Sequence, residues 1–216
     1  MLVSTDRIIS SVIETLQMVS ISFIFSIVIG LPLGILLYVT RRGQILDQPI
    51  IFNVLNIIIN IFRSVPFIII LVAIIPFTRF VVGTSIGTEA AIVPMVVYAA
   101  PYIARLVESS LLEVDDGVLE AANAMGATPL QTIVRFVLPE ALSSLVINFT
   151  IAIIGLVGAS AMAGAVGGGG VGDLAITYGY QRFDGVTMLV TVVILIVMVQ
   201  GLQSFGNVLS KTIRRK

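Results

Sequence analysis

The chain has 216 residues, of which 57% are hydrophobic and 11% charged, with a formal net charge of zero and a mean hydropathy of +1.11. Soluble domains carry roughly a quarter of their residues as charges, and a water-soluble globule of this composition would expose apolar patches that soluble monomers avoid, so lipid is the expected solvent. The balanced charge argues against nucleic acid as a partner, and the absence of cysteine excludes disulfides, thiolate chemistry and cysteine-ligated metals.

Uncharged apolar stretches recur at the length needed to cross a bilayer as a helix, about 20 residues. The expected fold class is therefore all-α: a polytopic membrane protein, residues 1–216 forming one transmembrane domain with about five spans. The first span is expected at 16–39. Its apolar run is longer than a cleaved signal sequence uses and begins late, so it reads as a signal-anchor. Gly30 and Gly34 within it have the spacing of close helix packing, with Pro32 loosening the backbone between them.

The second span, 50–77, is interrupted only by Arg63. An arginine at mid-span costs ~2.5–3.5 kcal/mol on insertion scales. Arg63 either meets the anionic end of a substrate, or lies near an interface and snorkels or pairs with an acid of an internal loop. The uncharged run after Pro66 favours the second reading. The remaining spans are expected at 83–104, 141–165 and 186–209.

With the N-terminus outside, the internal segments hold Arg41, Arg42, Arg105, Arg135, Lys211, Arg214, Arg215 and Lys216, and the external ones Arg7, Arg79 and Arg182. Positive charge concentrates inside, so the expected orientation is N-out, C-in.

The long internal connection is the most informative stretch, above all 115–139. Val118, Leu119, Ala122 and Met125 share one face at helical spacing, and Gly126 suits a left-handed stop. A second helix follows at once. Thr128 is a good N-cap, Pro129 fits the first helical position, and Gln131 completes a capping box. Leu130, Ile133, Val134, Val137 and Leu138 form its apolar stripe, and Pro139 closes the element and can also open the next span. The expected product is two short helices with a fixed bend at the inner surface. On these residues alone it is either a docking element or a linker resting on lipid.

Beyond that segment, Met162 stands as one bulky side chain among Ala159, Ser160, Ala161, Ala163 and Gly164, ahead of the run Gly167–Gly170. Such glycine-rich backbone is tolerated at membrane depth only where it is buried in protein or lines a cavity. Met162, Ser160 and Gly158 are thus candidates for a narrow path or gate, with ordinary helix packing as the competing reading. No G-x-x-x-x-G-K-[ST] loop occurs, and the only lysines are Lys211 and Lys216, so ATP hydrolysis by the usual route is excluded for this chain. The absence of histidine removes Ser–His chemistry and most metal sites; no catalytic or metal-binding residues are expected.

Glu120-Ala121-Ala122, three residues, Gly126, nine residues, then Phe136-Val137-Leu138-Pro139 resembles the EAA motif of ATP-binding-cassette importer permeases, in which isoleucine stands at the place of Phe136. The likeness extends through Gly30–Gly34, Asn60–Phe67, Pro76–Arg79, Val82–Gly87, Ala159–Gly167 and Tyr178–Tyr180, and is to the methionine-importing branch of that family. The resemblance implies a permease subunit whose segment at Glu120, Ala121, Ala122, Gly126, Thr128, Pro129, Leu138 and Pro139 couples it to an ATPase. It implies no cofactor in this chain, ATP and magnesium being bound by the partner. It further implies a homodimer with two cytoplasmic ATPase subunits, an external substrate-binding lipoprotein, a place in the bacterial cytoplasmic membrane, and transport of methionine, L- and D-, by alternating access. Import of another small solute, such as a polar amino acid or quaternary amine, and a non-transporting scaffold role remain alternatives at this stage.

Overall fold

The computed structural model describes residues 3–214; Arg215 and Lys216, two of the cations counted above, lie outside the described residues. All regular structure among these residues is helical. In chain order the helices are α1 (Thr5–Thr40), α2 (Pro49–Ser64), α3 (Phe67–Ala73), α4 (Ile75–Val82), α5 (Thr88–Leu112), α6 (Asp116–Ala124) and α7 (Pro129–Gln131). A π-helical stretch, Thr132–Val137, carries α7 directly into α8 (Leu138–Gly164). After it come α9 (Gly170–Leu174), continued by a second π-helical stretch, Ala175–Tyr180, and α10 (Gly185–Arg214).

Four rods are long and apolar enough to cross a membrane: α1, α5, the continuous Pro129–Gly164 helix, and α10. A fifth crossing exists only if α2 and α3 act together, and they are bent by 97°. The stretch read from sequence as one span, 50–77, is thus a broken one. Pro66 is the cause: a proline disfavours the helical conformation in the residue before it, and Val65 is extended at φ −92°, ψ 125°. Helix α1 starts well before residue 16. Ser4 caps it by accepting from the Arg7 N–H, and hydropathy marks the lipid crossing rather than the helix end.

Arg63 lies exposed in the last turn of α2, where a cation favours the helix dipole. It makes no ion pair among the described residues, so of the two interfacial readings, snorkelling or pairing with a loop acid, the pairing is not formed.

Helix α5 is the hub. It touches α1, α2, α3, α4 and α8, and half of its apolar window is buried against 11% for α10, which lies at the periphery. Along α1 the buried positions include Ser11, Thr15, Ser22, Ser26, Gly30 and Gly34, with Met18, Val19 and the last turn from Leu37 to Thr40, while Ile9, Ile13, Ile24 and Val28 are exposed. Small and hydroxylated residues inside with branched apolar ones outside is the pattern lipid selects, because helix association there depends on close packing rather than on hiding apolar surface. Gly30 and Gly34 show how close: a Cβ on Gly34 would stand 2.5 Å from the Ala104 carbonyl oxygen, and one on Gly30 2.7 Å from that of Ala100.

The fold has two polar ends. At one, Arg41 (3.3 Å) and Arg105 both bind the Glu108 carboxylate, which is 2% exposed. Arg105 also donates to Asn56 and Asn60 of α2. At the other end, the Gly170 N–H donates to Glu14 Oε2 (2.7 Å) and the Val171 N–H to Thr15 Oγ1 (2.9 Å). Arg7 bridges Glu14 and Asp173 there, each at 3.8 Å. The side chains that cap α9 therefore come from a helix 156 residues earlier.

Candidate functional site

The segment 115–139 sits at the Glu108 end. Asp115 opens α6 by accepting the Gly117 N–H at 2.8 Å. The helix stops in a Schellman arrangement: the Gly126 N–H donates to the Asn123 carbonyl and the Ala127 N–H to that of Ala122. Gly126 holds φ +68° with open space where a Cβ would be, so it is glycine for conformation and not for room. Thr128 and Gln131 then form the reciprocal capping box, Thr128 N–H to Gln131 Oε1 at 2.9 Å and Gln131 N–H to Thr128 Oγ1 at 3.4 Å. The bend is thus held on one side by backbone hydrogen bonds and on the other by side-chain caps.

Beyond the bend the structure differs from the expected pair of short helices. Pro139 does not close the second element, which runs on to Gly164 as one rod. A proline inside an α-helix clashes with the carbonyl four residues back and leaves it without a donor. Here the preceding turns are π-helical, with the Leu138 N–H reaching the Ile133 carbonyl, and this wider turn lets the chain pass Pro139 unbroken.

The two faces of the segment have separated roles. Ala122 is fully buried, as are Ile133 and Val137, while Leu138 is half-buried. The small side chain of Ala122 thus serves packing within the chain. Met125 and Leu130 are 65% and 74% exposed, and Val134, Glu120, Ala121, Thr128, Pro129 and Pro139 are exposed with them. Apolar side chains are thus displayed at the bend beside the Glu120 carboxylate, which has no ion pair among the described residues.

A second feature starts nearby. The ends of α5 and α10 and the start of α8 enclose an open cleft of about 960 Å³, lined by Glu113, Asp115, Glu140, Ser144, Asn148 and Arg214 among others. Asn148 Nδ2 donates to Ser110 Oγ at 2.7 Å and Ser144 Oγ to Glu113 Oε2 at 2.6 Å. Ile147 lines this cleft, and from it the exposed positions Ile151, Gly155, Gly158 and Met162 ascend one face of α8 at helical spacing. Met162 is 51% exposed, and nothing lies within 4 Å of a Cβ built on Gly155 or Gly158. Ser160 is not on this face. It is buried, its hydroxyl donating to the Val157 carbonyl at 2.7 Å. The glycines after Met162 let backbones touch: a Cβ on Gly172 would stand 2.5 Å from Ala161 Cα.

Of the residues singled out from sequence, the structure brings Glu120, Gly126, Thr128 and Pro129 to one surface, and Gly158 and Met162 to one face. Residues missed by that reading are Glu14, Thr15, Glu108 and Asp173, whose partners lie on other helices. Asp115 was legible as an N-cap before an apolar-periodic stretch.

A family profile described as the inner membrane component of binding-protein-dependent transport systems matches residues 30–215. The chain is 49% identical over 97% of its length, and 93% of the relative's, to the probable D-methionine transport system permease protein MetI of Vibrio cholerae serotype O1. It is 58% identical over 70% of both chains to the D-methionine transport system permease protein MetI of Escherichia coli strain K12. Its fold is similar to a chain in an inward-facing structure of the MetNI methionine ABC transporter, with TM-score 0.95 and 50% identity over 97% of each chain. A chain from an amino acid ABC transporter shares the fold alone, with TM-score 0.78 at 19% identity over 96% of this chain and 94% of that one. Broken and continuous helices, the rigid bend and these matches over nearly the whole chain lead to one statement: the protein belongs to the family of inner membrane components of binding-protein-dependent transport systems.

Proposed function

We propose that this chain is the permease subunit of an ATP-driven methionine importer in the bacterial cytoplasmic membrane. The observation that carries the reading is the docking bend, a preformed surface of Met125, Leu130 and Glu120 at the end of a 36-residue rod. A rigid rod transmits a push at one end to the other, where Met162 stands. One chain holds one such bend, so two copies with two ATPase subunits make a closed two-fold assembly. ATP and magnesium belong to the ATPases, and an external binding lipoprotein delivers substrate. The substrate assignment is supported by the names of the relatives identical at 49% and 58%. In a dimer, the open face of α8 from Ile147 to Met162 lines the path, the cleft beside Glu113 is its inner mouth, and Met162 narrows it. Ser160 supports the helix and does not face substrate.

The test is methionine uptake by vesicles holding permease, ATPase and binding protein. Met162→Ala is expected to raise basal leak or increase ATP consumed per methionine moved, and unchanged leak and coupling would return Met162 to packing. Orientation is tested separately. A reporter active only in the cytoplasm is expected to work when fused after Lys216 and to be silent at Arg182; the reverse pattern defeats the N-out, C-in assignment.

A further inference from the structure

Helix α2 carries a polar ladder. Asn53, Asn56, Asn60 and Arg63 recur at intervals of three and four residues, so they share one face, and Asn53, Asn60 and Arg63 are exposed on it. Ile50, Val54, Ile57 and Ile61 are exposed on the other side. Asn56 and Asn60 both accept from Arg105 Nη2, so the ladder borders α5.

The depth of Arg63 decides what it can meet. Ile59, one turn before it, packs with Leu37 and Ala104. Phe67, one turn after it, meets Tyr98 edge-on at 5.4 Å between ring centroids. Arg63 is therefore level with the stretch of α5 between these contacts, where Ala100 faces Gly30 of α1. At 1.5 Å per residue, Gly30 lies about 15 Å from Thr40 and about 24 Å from Glu14. That is half the depth of a hydrocarbon core about 30 Å thick, and from there one side chain snorkels to neither surface. An arginine so placed faces a water-filled cavity or the bundle interior, not lipid. Nor does the chain hold a counter-ion for it. No Asp or Glu occurs in 15–46, 48–88, 90–107, 141–172 or 185–216, and Glu108 already binds Arg41 and Arg105. A second copy has the same deficit, so the anion that pairs with Arg63 comes from a ligand.

We infer that Arg63 binds the α-carboxylate of the transported amino acid at mid-membrane, guanidinium fork to carboxylate, with the asparagine ladder hydrating the approach from the Glu108 end. The inference rests on the methionine-importer reading above and deepens it. The chain has no cysteine, so single cysteines report cleanly on the permease in its complex with the ATPase in lipid nanodiscs. Asn60→Cys, one turn from Arg63, should react with charged, membrane-impermeant methanethiosulfonates, the anionic reagent faster than the cationic one. Ile57→Cys, on the apolar side, should stay unmodified. Added to Asn60→Cys, Arg63→Gln should abolish the anionic preference and Arg63→Lys should keep it, the ATPase co-purifying in each case. Methionine should slow the modification, and methioninol, which lacks the carboxylate, should not. Arg63→Gln should raise the methionine needed for half protection roughly tenfold. Unmodified Asn60→Cys would place the ladder in a protomer interface and overturn the inference. Equal modification of Ile57→Cys, equal protection by methioninol, or protection unchanged in Arg63→Gln would overturn it too. Uptake by the unsubstituted complex with binding protein separates the two claims. No uptake of methionine defeats the transport reading itself, whereas normal uptake without Arg63-dependent protection defeats only the carboxylate site.

Discussion

Gly126→Val is expected to leave the permease inserted in the membrane but to lose most of the co-purifying ATPase, or to leave ATP hydrolysis uncoupled from uptake. Gly126 sits at φ +68° with nothing near its Cβ position, so the cost of a side chain is conformational. The left-handed region costs an ordinary L-residue about 1–2 kcal/mol, and a β-branched side chain resists it more strongly. To escape, the chain must give up the Schellman bonds from Gly126 and Ala127 and swing α6 away from the 36-residue rod. Glu120 and Met125 would then no longer be presented together with Leu130. Insertion should be unaffected, because the bend lies outside the apolar windows of α1, α5 and α10. Gly126→Ala should give an intermediate loss and Gly126→Asn a smaller one, since asparagine tolerates this region better. The measurement is the ATPase-to-permease ratio after purification, followed by vesicle uptake. Equal ratios and equal uptake across the series would show that the bend is a passive linker.

Glu108→Ala is expected to lower the thermal unfolding midpoint of the purified permease by roughly 5–10 °C. The carboxylate is 2% exposed and joins Arg41 from the end of α1 to Arg105 of α5, which in turn holds Asn56 and Asn60 of α2. Removing one member of a buried ion pair costs about 3–5 kcal/mol because the other charge is left uncompensated. Arg41 and Arg105 are 45% and 23% exposed, and water screens them in part, which brings the expected loss to roughly 2–3 kcal/mol. Glu108→Gln keeps the volume and can still accept from Arg105, so its loss should be smaller. An unchanged midpoint in Glu108→Ala would mean that helix packing alone holds α1, α2 and α5 in register.

Composition, apolar run length and turn chemistry are local quantities, and what depends on them was readable from the chain alone. Hydropathy marks the apolar rods because lipid leaves a helix no other way to satisfy its backbone. Gly126, Thr128, Pro129 and Gln131 announce the bend because caps are built from residues at most a few positions apart. The small stripe through Gly30 and Gly34 likewise signals close approach. What the chain alone did not reveal depends on residues far apart in it. Ala122 faces inward and Met125 outward only because α6 packs on the π-helical stretch. Pro139 is passed rather than obeyed because that stretch widens the turn before it. The α2–α3 break follows from Pro66, but its 97° bend is set by where α3 finds α5 and α8. Ser160 and Met162, two residues apart, point to protein and to open space because α8 has one packed face and one empty one. Glu14 meets Gly170 and Glu108 meets Arg41 although 156 and 67 residues separate them along the chain. Tertiary structure alone decides such pairings, because their energy comes from burial and distance, and neither is a property of any short segment.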